Sequence, residues 1–201
     1  MISLKEYIVE QRGYGLTIFD IGDTLFHTFA EIKVMKDGKV LHSLTNQEFN
    51  VYELKDGESF DFGEFRDAKH FRATSKPIEK MINKAKAIIK NVVAKGSDAI
   101  ILTARADFDD KDEFLQKFRD HGFPIDHVYV ERAGNLKAPN SAIAKVKVIE
   151  KYLAKRGYAR VRLFDDAKSN LEALLGMKKD YPNIDFQAYL VDHSGNITKF
   201  K

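Results

Sequence analysis

Leu16-Thr17-Ile18-Phe19-Asp20-Ile21-Gly22-Asp23-Thr24-Leu25 is the stretch of the chain that decides the fold. A short apolar run that favours a β-strand ends on Asp20, and a polar turn with a second aspartate and a threonine follows it. In an open α/β sheet, ligands bind just beyond the carboxyl ends of the strands, so a carboxylate there is placed for chemistry. The same residue types are also typical of a simple turn. The stretch alone leaves both interpretations open.

Further along the chain, short apolar runs alternate with amphipathic segments. The runs 99–103, 127–131, 161–165 and 186–191 predict strands, and the segments 75–96, 110–122, 143–157 and 169–179 predict helices. A further short helix is expected over residues 3–11, and a final hairpin through Ser194-Gly195. The alternation predicts an α/β fold, a Rossmann-like parallel sheet with helices on both faces.

The pattern changes character after the first strand. The segments 31–36 and 39–44 flank Asp37-Gly38, which predicts a β-hairpin, and the run 49–54 predicts a third strand. Ser75 and Pro77 then predict the start of a helix, with Ser75 as the N-cap and Pro77 as a first-turn proline. We therefore expect a core of residues 1–25 and 75–201, interrupted by a small β-rich cap insertion over residues 26–74.

Composition limits the classes of partner. The 201 residues carry 33 Lys and Arg against 30 Asp and Glu, a net charge of +3, which is too small a bias to indicate a nucleic acid or a membrane. The absence of cysteine excludes disulfides and thiolate metal sites. No run approaches the roughly 18 apolar residues of a membrane span, and the first ten residues lack the apolar core of a signal peptide. We expect a cytoplasmic protein without membrane association, and no protein partner is evident.

Polar groups follow three of the predicted strands. The first strand ends at Asp20, the second at Thr103, and a later one at Asp165-Asp166. Because parallel strands end at the same edge of a sheet, we expect these groups to converge in one pocket. Several carboxylates there suit Mg²⁺, which prefers a few carboxylates together with phosphate and water.

Basic residues are available to neutralise an anion in that pocket. Arg105 follows the second strand, while Lys145 and Lys147 lie near the start of the helix that leads into the later strand. A hydroxyl, a lysine and an arginine around a metal fit a phosphoryl group, whose negative charge is spread over its oxygens. A carboxylate can itself act as the nucleophile and form an aspartyl-phosphate.

These residues resemble the motifs of the haloacid dehalogenase-like superfamily of phosphohydrolases. That family has Asp-x-Asp-x-Thr after a hydrophobic run, a second hydrophobic run ending in Thr or Ser, then a lysine, and then an Asp-Asp or Gly-Asp pair after a strand. The four motifs occur here in that order, apart from one position, and extend to Asn170. The resemblance implies a Rossmann-like core, a Mg²⁺ cofactor and hydrolysis of phosphate monoesters through an aspartyl-phosphate.

The resemblance also implies roles for individual residues. Asp20 resembles the nucleophile and a metal ligand, and Thr103 the hydroxyl that holds the transferring phosphoryl group. Asp166, with Asp165 beside it, resembles the pair that completes the Mg²⁺ shell. Lys147, in preference to Lys145, resembles the lysine that neutralises phosphate and nucleophile. The residues expected to contact the substrate are Thr24, Ala104, Arg105 and Arg132.

The chain departs from the family at a catalytic position. The second motif-one aspartate, which acts as general acid and base, should lie two residues after the nucleophile, where this chain has Gly22. Thr24 keeps its place, so the change is a substitution. A glycine retains the backbone carbonyl that the family residue gives to the metal, but it loses the proton donor and base, which are worth about 10²–10⁴-fold in rate. Asp23 can replace them only if the loop twists, since adjacent side chains point in different directions.

The substrate and two other function classes remain open. The motif order and the Thr-Ala-Arg sequence are similar to the 3′-phosphatase domains of polynucleotide end-repair enzymes, and motif one is similar to that of class B acid phosphatases. The resemblance implies a phosphorylated nucleotide, nucleic-acid end or small molecule as substrate. The cap aromatics could stack on a base, but a small insertion also needs them for its own core. The alternatives are a phosphate-binding pseudoenzyme and, disfavoured by the insertion and by the Asp-x-x-Asp-Thr spacing, a receiver-like switch.

Overall fold

The computed structural model describes residues 13–49 and 51–201. The helix expected over residues 3–11 lies outside the described residues. The strands are β1 (Tyr14–Phe19), β2 (Phe26–His27), β3 (Ile32–Lys36), β4 (Lys39–Leu44), β5 (Glu58–Asp61), β6 (Lys76–Pro77), β7 (Asp98–Thr103), β8 (Tyr129–Arg132), β9 (Tyr158–Asp165), β10 (Asp185–Val191) and β11 (Ile197–Phe200). The α-helices are α1 (Asn46–Phe49), α2 (Ala68–Thr74), α3 (Glu79–Ala94), α4 (Lys111–Asp120), α5 (Ser141–Lys155) and α6 (Lys168–Gly176).

A six-stranded sheet organises these elements, in the order β11-β10-β9-β1-β7-β8. The strands from β10 to β8 are parallel, and β11 runs antiparallel to β10 after the predicted hairpin. β1 is central, and its last residue, Phe19, lies beside Phe164 of β9 and Ile101 of β7. The prediction of a mixed α/β fold with a mostly parallel sheet flanked by helices is confirmed.

The sheet is buried on both faces. Leu16 and Ile18 of β1 belong to a hydrophobic cluster that includes buried residues of α5 and α6, whereas Phe19 belongs to one that includes residues of α3 and α4. This accounts for the continuous apolar runs in β1 and β7, because a parallel strand covered by helices on both sides has no solvent-facing side chains.

The segment that follows β1 contains a second, antiparallel sheet, in the order β4-β3-β5. The predicted hairpin is present, with Asp37 and Gly38 at φ of 50° and 74°, as the tight turn of a two-residue hairpin requires. The expected strand over 49–54 is wrong, because α1 ends at Phe49 and the third strand is β5. Thr45 and Glu48 cap α1 reciprocally: the Thr45 amide donates to the Glu48 carboxylate, and the Glu48 amide donates to the Thr45 hydroxyl.

The border between this segment and α3 also differs from the prediction. Ser75 and Pro77 do not begin a helix: Lys76 and Pro77 form β6, which pairs with β2, and α3 begins at Glu79. Ser75 instead ends α2, a helix that was not predicted and whose first turn is capped by the Asp67 side chain. The β2–β6 pair thus joins the two ends of the expected insertion, whose boundaries stay a prediction.

No helix in the described part of the chain combines the length and apolar character needed to cross a membrane.

Candidate active site

Three neighbouring strands bring polar residues to one edge of the main sheet. Asp20 directly follows β1, while Thr103 ends β7 on one side of it and Asp165 ends β9 on the other. The amide of Asp20 donates to the carbonyl of Phe164 at 3.0 Å, so the pairing of β1 with β9 continues up to the carboxylate itself. These side chains are almost completely buried, and the parallel register of the strands fixes their relative height.

Lys145 of α5 connects the two strand-end carboxylates. Its ammonium group donates to Oδ1 of Asp20 and to Oδ2 of Asp165, both at 2.7 Å, and its side chain is only 3% exposed. The structure corrects the choice between the two lysines. Lys147 lies on the exposed side of the same helix, where its ammonium group donates to the carbonyl of Lys137 at 3.3 Å.

Asn170 of α6 holds Asp165 in place. Its side-chain amide donates to the two carboxylate oxygens at 2.9 and 3.1 Å, and the amide of Ala167 donates to Oδ1 at 3.0 Å. No role is predicted for Asn170 from the sequence. The signal that could have found it is its position in the first turn of the helix that follows the Asp165-Asp166 pair.

The site concentrates negative charge that one lysine only partly balances. Burial and the charge of Asp165 raise the pKa of Asp20 to about 6, although Lys145 opposes them. Burial and the charges of Asp20, Asp165 and Asp23 raise the pKa of Asp166 to about 7. Burial alone would lower the pKa of Lys145, but the two carboxylates outweigh it and raise that pKa above its ordinary value. A divalent cation would relieve this repulsion.

The donor set at this edge fits a hard cation. Asp20, Asp165 and Asp166 each offer a carboxylate oxygen, and these oxygens lie within 4.8 Å of one another. A small number of carboxylate oxygens matches the preference of Mg²⁺. The hydroxyl of Thr24, in the same loop as Asp20, is buried and has no hydrogen-bond partner among the described residues. This hydroxyl can therefore form a hydrogen bond to a bound ligand.

The loop after β1 is a tight turn in which Gly22 has space for a side chain. The amide of Phe26 donates to the carbonyl of Ile21 at 2.9 Å, and the amide of Asp23 donates to the carbonyl of Phe26 at 2.7 Å, so neither bond uses the Gly22 carbonyl. A Cβ at position 22 would meet only the Thr28 hydroxyl, at an ordinary contact distance of 3.6 Å. The local backbone therefore accepts an aspartate at this position.

Asp23 has an unusual backbone conformation, and whether it replaces the missing acid stays a prediction. Its φ is 50°, in the left-handed region that Asp tolerates better than most residues. Its carboxylate, however, lies 3.1 Å from Nδ1 of His27 and is engaged there.

The predicted substrate-binding residues have different surroundings. Arg105 is buried, with its guanidinium 4.8 Å from the ring centroid of Phe65. Burial pulls its pKa below the ordinary value, and the charges of Asp20 and Asp23 oppose that shift. Arg132 pairs with Asp107, with 3.4 Å between Nε and Oδ1. Ala104 is exposed between Thr103 and Arg105. Arg105 is therefore the arginine whose charge acts on the carboxylate cluster.

Half of the Phe and Tyr residues in the segment after β1 serve the core of its own small sheet. Phe49, Tyr52, Phe60 and Phe65 pack against the buried residues of the small sheet. Phe26 and Phe71 belong to one of the two main clusters instead. Phe29 and Phe62, at 50% and 44% exposed, are open to solvent. The packing favours the core interpretation of these aromatics over base stacking.

Comparison of the chain with models of known protein families finds no match, and a search of curated proteins finds no significant relative.

Proposed function

We propose that this protein is a Mg²⁺-dependent phosphatase that forms an aspartyl-phosphate on Asp20 and is weakened by Gly22. The observation that carries the proposal is the shared contact of Lys145 with Asp20 and Asp165 at the carboxyl edge of the sheet. A lysine buried between two carboxylates, with an arginine and a hydroxyl nearby, is a site for an anion that arrives together with a metal ion.

Asp20, Asp165 and Asp166 would hold the metal ion, together with the carbonyl of Gly22. When bound, Mg²⁺ would neutralise charge on the carboxylates and on the phosphate oxygens. Lys145 and Arg105 would balance the remaining charge of the phosphoryl group, and the Thr103 hydroxyl would hold one of its oxygens.

The reaction would proceed in two steps on Asp20. In the first, a carboxylate oxygen of Asp20 forms a bond to phosphorus while the bond between phosphorus and the ester oxygen breaks, and the ester oxygen departs as an anion that takes a proton from solvent. In the second, the oxygen of a water molecule forms a bond to the same phosphorus while the bond between phosphorus and the Asp20 oxygen breaks, which releases inorganic phosphate and a proton to solvent and restores the carboxylate. Each step needs a proton carrier, and Gly22 provides none.

The proposed substrate is a phosphate monoester of a nucleotide, a polynucleotide end or a small metabolite. The missing acid matters least for leaving groups that depart without a proton. We therefore expect activated aryl esters to be hydrolysed better than alkyl phosphates.

A phosphate-binding protein without turnover is the second candidate, because Gly22 occupies the position of the acid and base. The two candidates share the cation and anion sites and differ in chemistry alone. A binder would hold Mg²⁺ and phosphate but would not hydrolyse even activated esters.

The deciding experiment measures hydrolysis of p-nitrophenyl phosphate and of a nucleotide panel with Mg²⁺, for the natural chain, Gly22→Asp and Asp20→Asn. We expect weak activity on the aryl ester, a gain of about 10²–10⁴-fold in Gly22→Asp, and none in Asp20→Asn. Acid quenching and mass spectrometry should detect a phosphate adduct on Asp20. If neither the natural chain nor Gly22→Asp hydrolyses any ester, the phosphatase proposal fails. Saturable Mg²⁺-dependent phosphate binding would then support the binder.

A further inference from the structure

A second cluster of metal-ligating side chains lies beside the acidic cluster. Asp23, His27 and His193 come from the loop after β1, from β2, and from the turn between β10 and β11. One ligand atom from each lies within 4.8 Å of the others. Nδ1 of His27 is 3.1 Å from Oδ1 of Asp23, and the rings of His27 and His193 lie 4.1 Å apart between centroids.

The backbone of each of the three residues is fixed independently. Asp23 is held by the bond from its amide to the carbonyl of Phe26, and His27 by the pairing of β2 with β6. The turn that carries His193 is organised by Asp192, whose carboxylate accepts from the amides of Ser194 and Asn196, both at 2.9 Å. The backbones that carry the three ligands are therefore held close together before any ion binds, which lowers the entropic cost of binding one.

From this convergence we infer that Asp23, His27 and His193 form a site for a divalent transition-metal ion of the Zn²⁺ class. Two imidazoles and a carboxylate are a donor set that Zn²⁺ uses in proteins, with a fourth position open to water or to a substrate oxygen. Mg²⁺ prefers oxygen ligands, so the acidic cluster and this cluster would select different ions.

The observed spacing suits this ion. Two ligands about 2 Å from a tetrahedral zinc ion are about 3.3 Å apart, close to the 3.1 Å between His27 and Asp23. His193 is exposed on its turn, so its ring can rotate from its stacked position towards the ion without disturbing packed neighbours. The carboxylate that would bind the ion belongs to Asp23, the acidic residue next to Gly22 in this loop.

The test is a calorimetric titration of metal-free protein with Zn²⁺ in excess Mg²⁺, which occupies the acidic cluster. The variants of the three proposed ligands, called the triad variants, are His193→Ala, on the exposed turn, and Asp23→Asn, which keeps a residue that tolerates positive φ. The matched controls are His127→Ala, an exposed histidine outside the cluster, and Asp166→Asn, which removes a ligand of the acidic cluster. Nitrogen-15 NMR of the imidazoles identifies the histidines that bind.

We expect one equivalent of Zn²⁺ to bind, with shifts of the His27 and His193 nitrogens. The affinity should fall about 10-fold or more in His193→Ala and Asp23→Asn, stay unchanged in His127→Ala, and fall less in Asp166→Asn than in either of the first two variants. Absence of binding, equal affinity in the triad variants, or loss in Asp166→Asn alone would each overturn the inference. None of these results depends on phosphatase activity, so failure of the zinc site and failure of the proposed function are separate outcomes.

Discussion

Two lysines on one helix differ in whether they can contact the carboxylates of the candidate site. Lys145 is buried between two carboxylates, whereas Lys147, two residues later, is exposed to solvent. A turn of α-helix rotates each residue by about 100°, so positions two apart face opposite directions. Lys145 is therefore the lysine that can act on the site, because its side chain points to the edge of the sheet where Asp20 and Asp165 lie.

The paired substitutions Lys145→Met and Lys147→Met test this difference. Removing the Lys145 ammonium leaves Asp20 and Asp165 as uncompensated buried charges, which typically costs about 3–5 kcal/mol. The exposed Lys147 should change the free energy of unfolding by less than about 0.5 kcal/mol. Urea denaturation at pH 7 measures both. Equal effects of the two substitutions would contradict the assignment of Lys145 to the site.

At the scale of elements, the loop after β8 supports the loop after β7. The amide of Gly134 donates to the carbonyl of Arg105 at 3.2 Å, and a Cβ at position 134 would approach the backbone nitrogen of Ala106 to 2.6 Å. A side chain there would therefore push on the segment that carries Thr103 and Arg105. This close approach of two backbones requires a glycine.

We predict that Gly134→Ala destabilises the fold and displaces Arg105, since neither backbone can move freely. Overpacking of this kind costs about 1–3 kcal/mol. Gly157→Ala is the matched control, because a Cβ at that position meets nothing within 4 Å. Thermal unfolding of both variants, together with phosphate binding in Mg²⁺, separates the two effects. If Gly134→Ala melts and binds like Gly157→Ala, the two loops are not in the contact described.

At the scale of the whole molecule, the sheet collects like charges at one edge. In the folded protein without metal, the pKa values of Asp20 and Asp166 are raised to about 6 and about 7 from an ordinary value of 3.8. The folded state therefore binds more protons than the unfolded state between about pH 4 and pH 7, so these groups lower the stability of the fold as the pH rises through that range.

The corresponding prediction concerns the melting temperature. In EDTA, the natural chain should lose stability from pH 4 to pH 7 relative to Asp166→Asn, which lacks one of the two groups. Mg²⁺ should raise the melting temperature at pH 8, where the carboxylates are ionised, and have little effect at pH 5, where protons compete with it. Differential scanning fluorimetry measures both. A Mg²⁺ effect that is independent of pH, or equal in Asp166→Asn, would contradict a metal site at this edge.

Local patterns were sufficient for most of the main sheet and its helices. The apolar runs of β1, β7 and β9 and the amphipathic spacing of α3 and α5 are each encoded within a short window, so their positions could be predicted to within a few residues. The segment after β1 was harder. The capping box of Thr45 and Glu48 was present in the sequence but was not used in the prediction, which took the β-like run over 49–54 as a strand. β6 exists only because β2 pairs with it.

The sequence by itself determined the α/β alternation, the placement of Asp20, Thr103 and Asp165 at strand ends, and the glycine at position 22. Each of these follows from residue type and spacing along the chain. The tertiary structure alone decided which lysine bridges the carboxylates, and that His193 meets His27 across well over a hundred residues of chain. Such contacts depend on strand order and on helix rotation, which local periodicity does not specify.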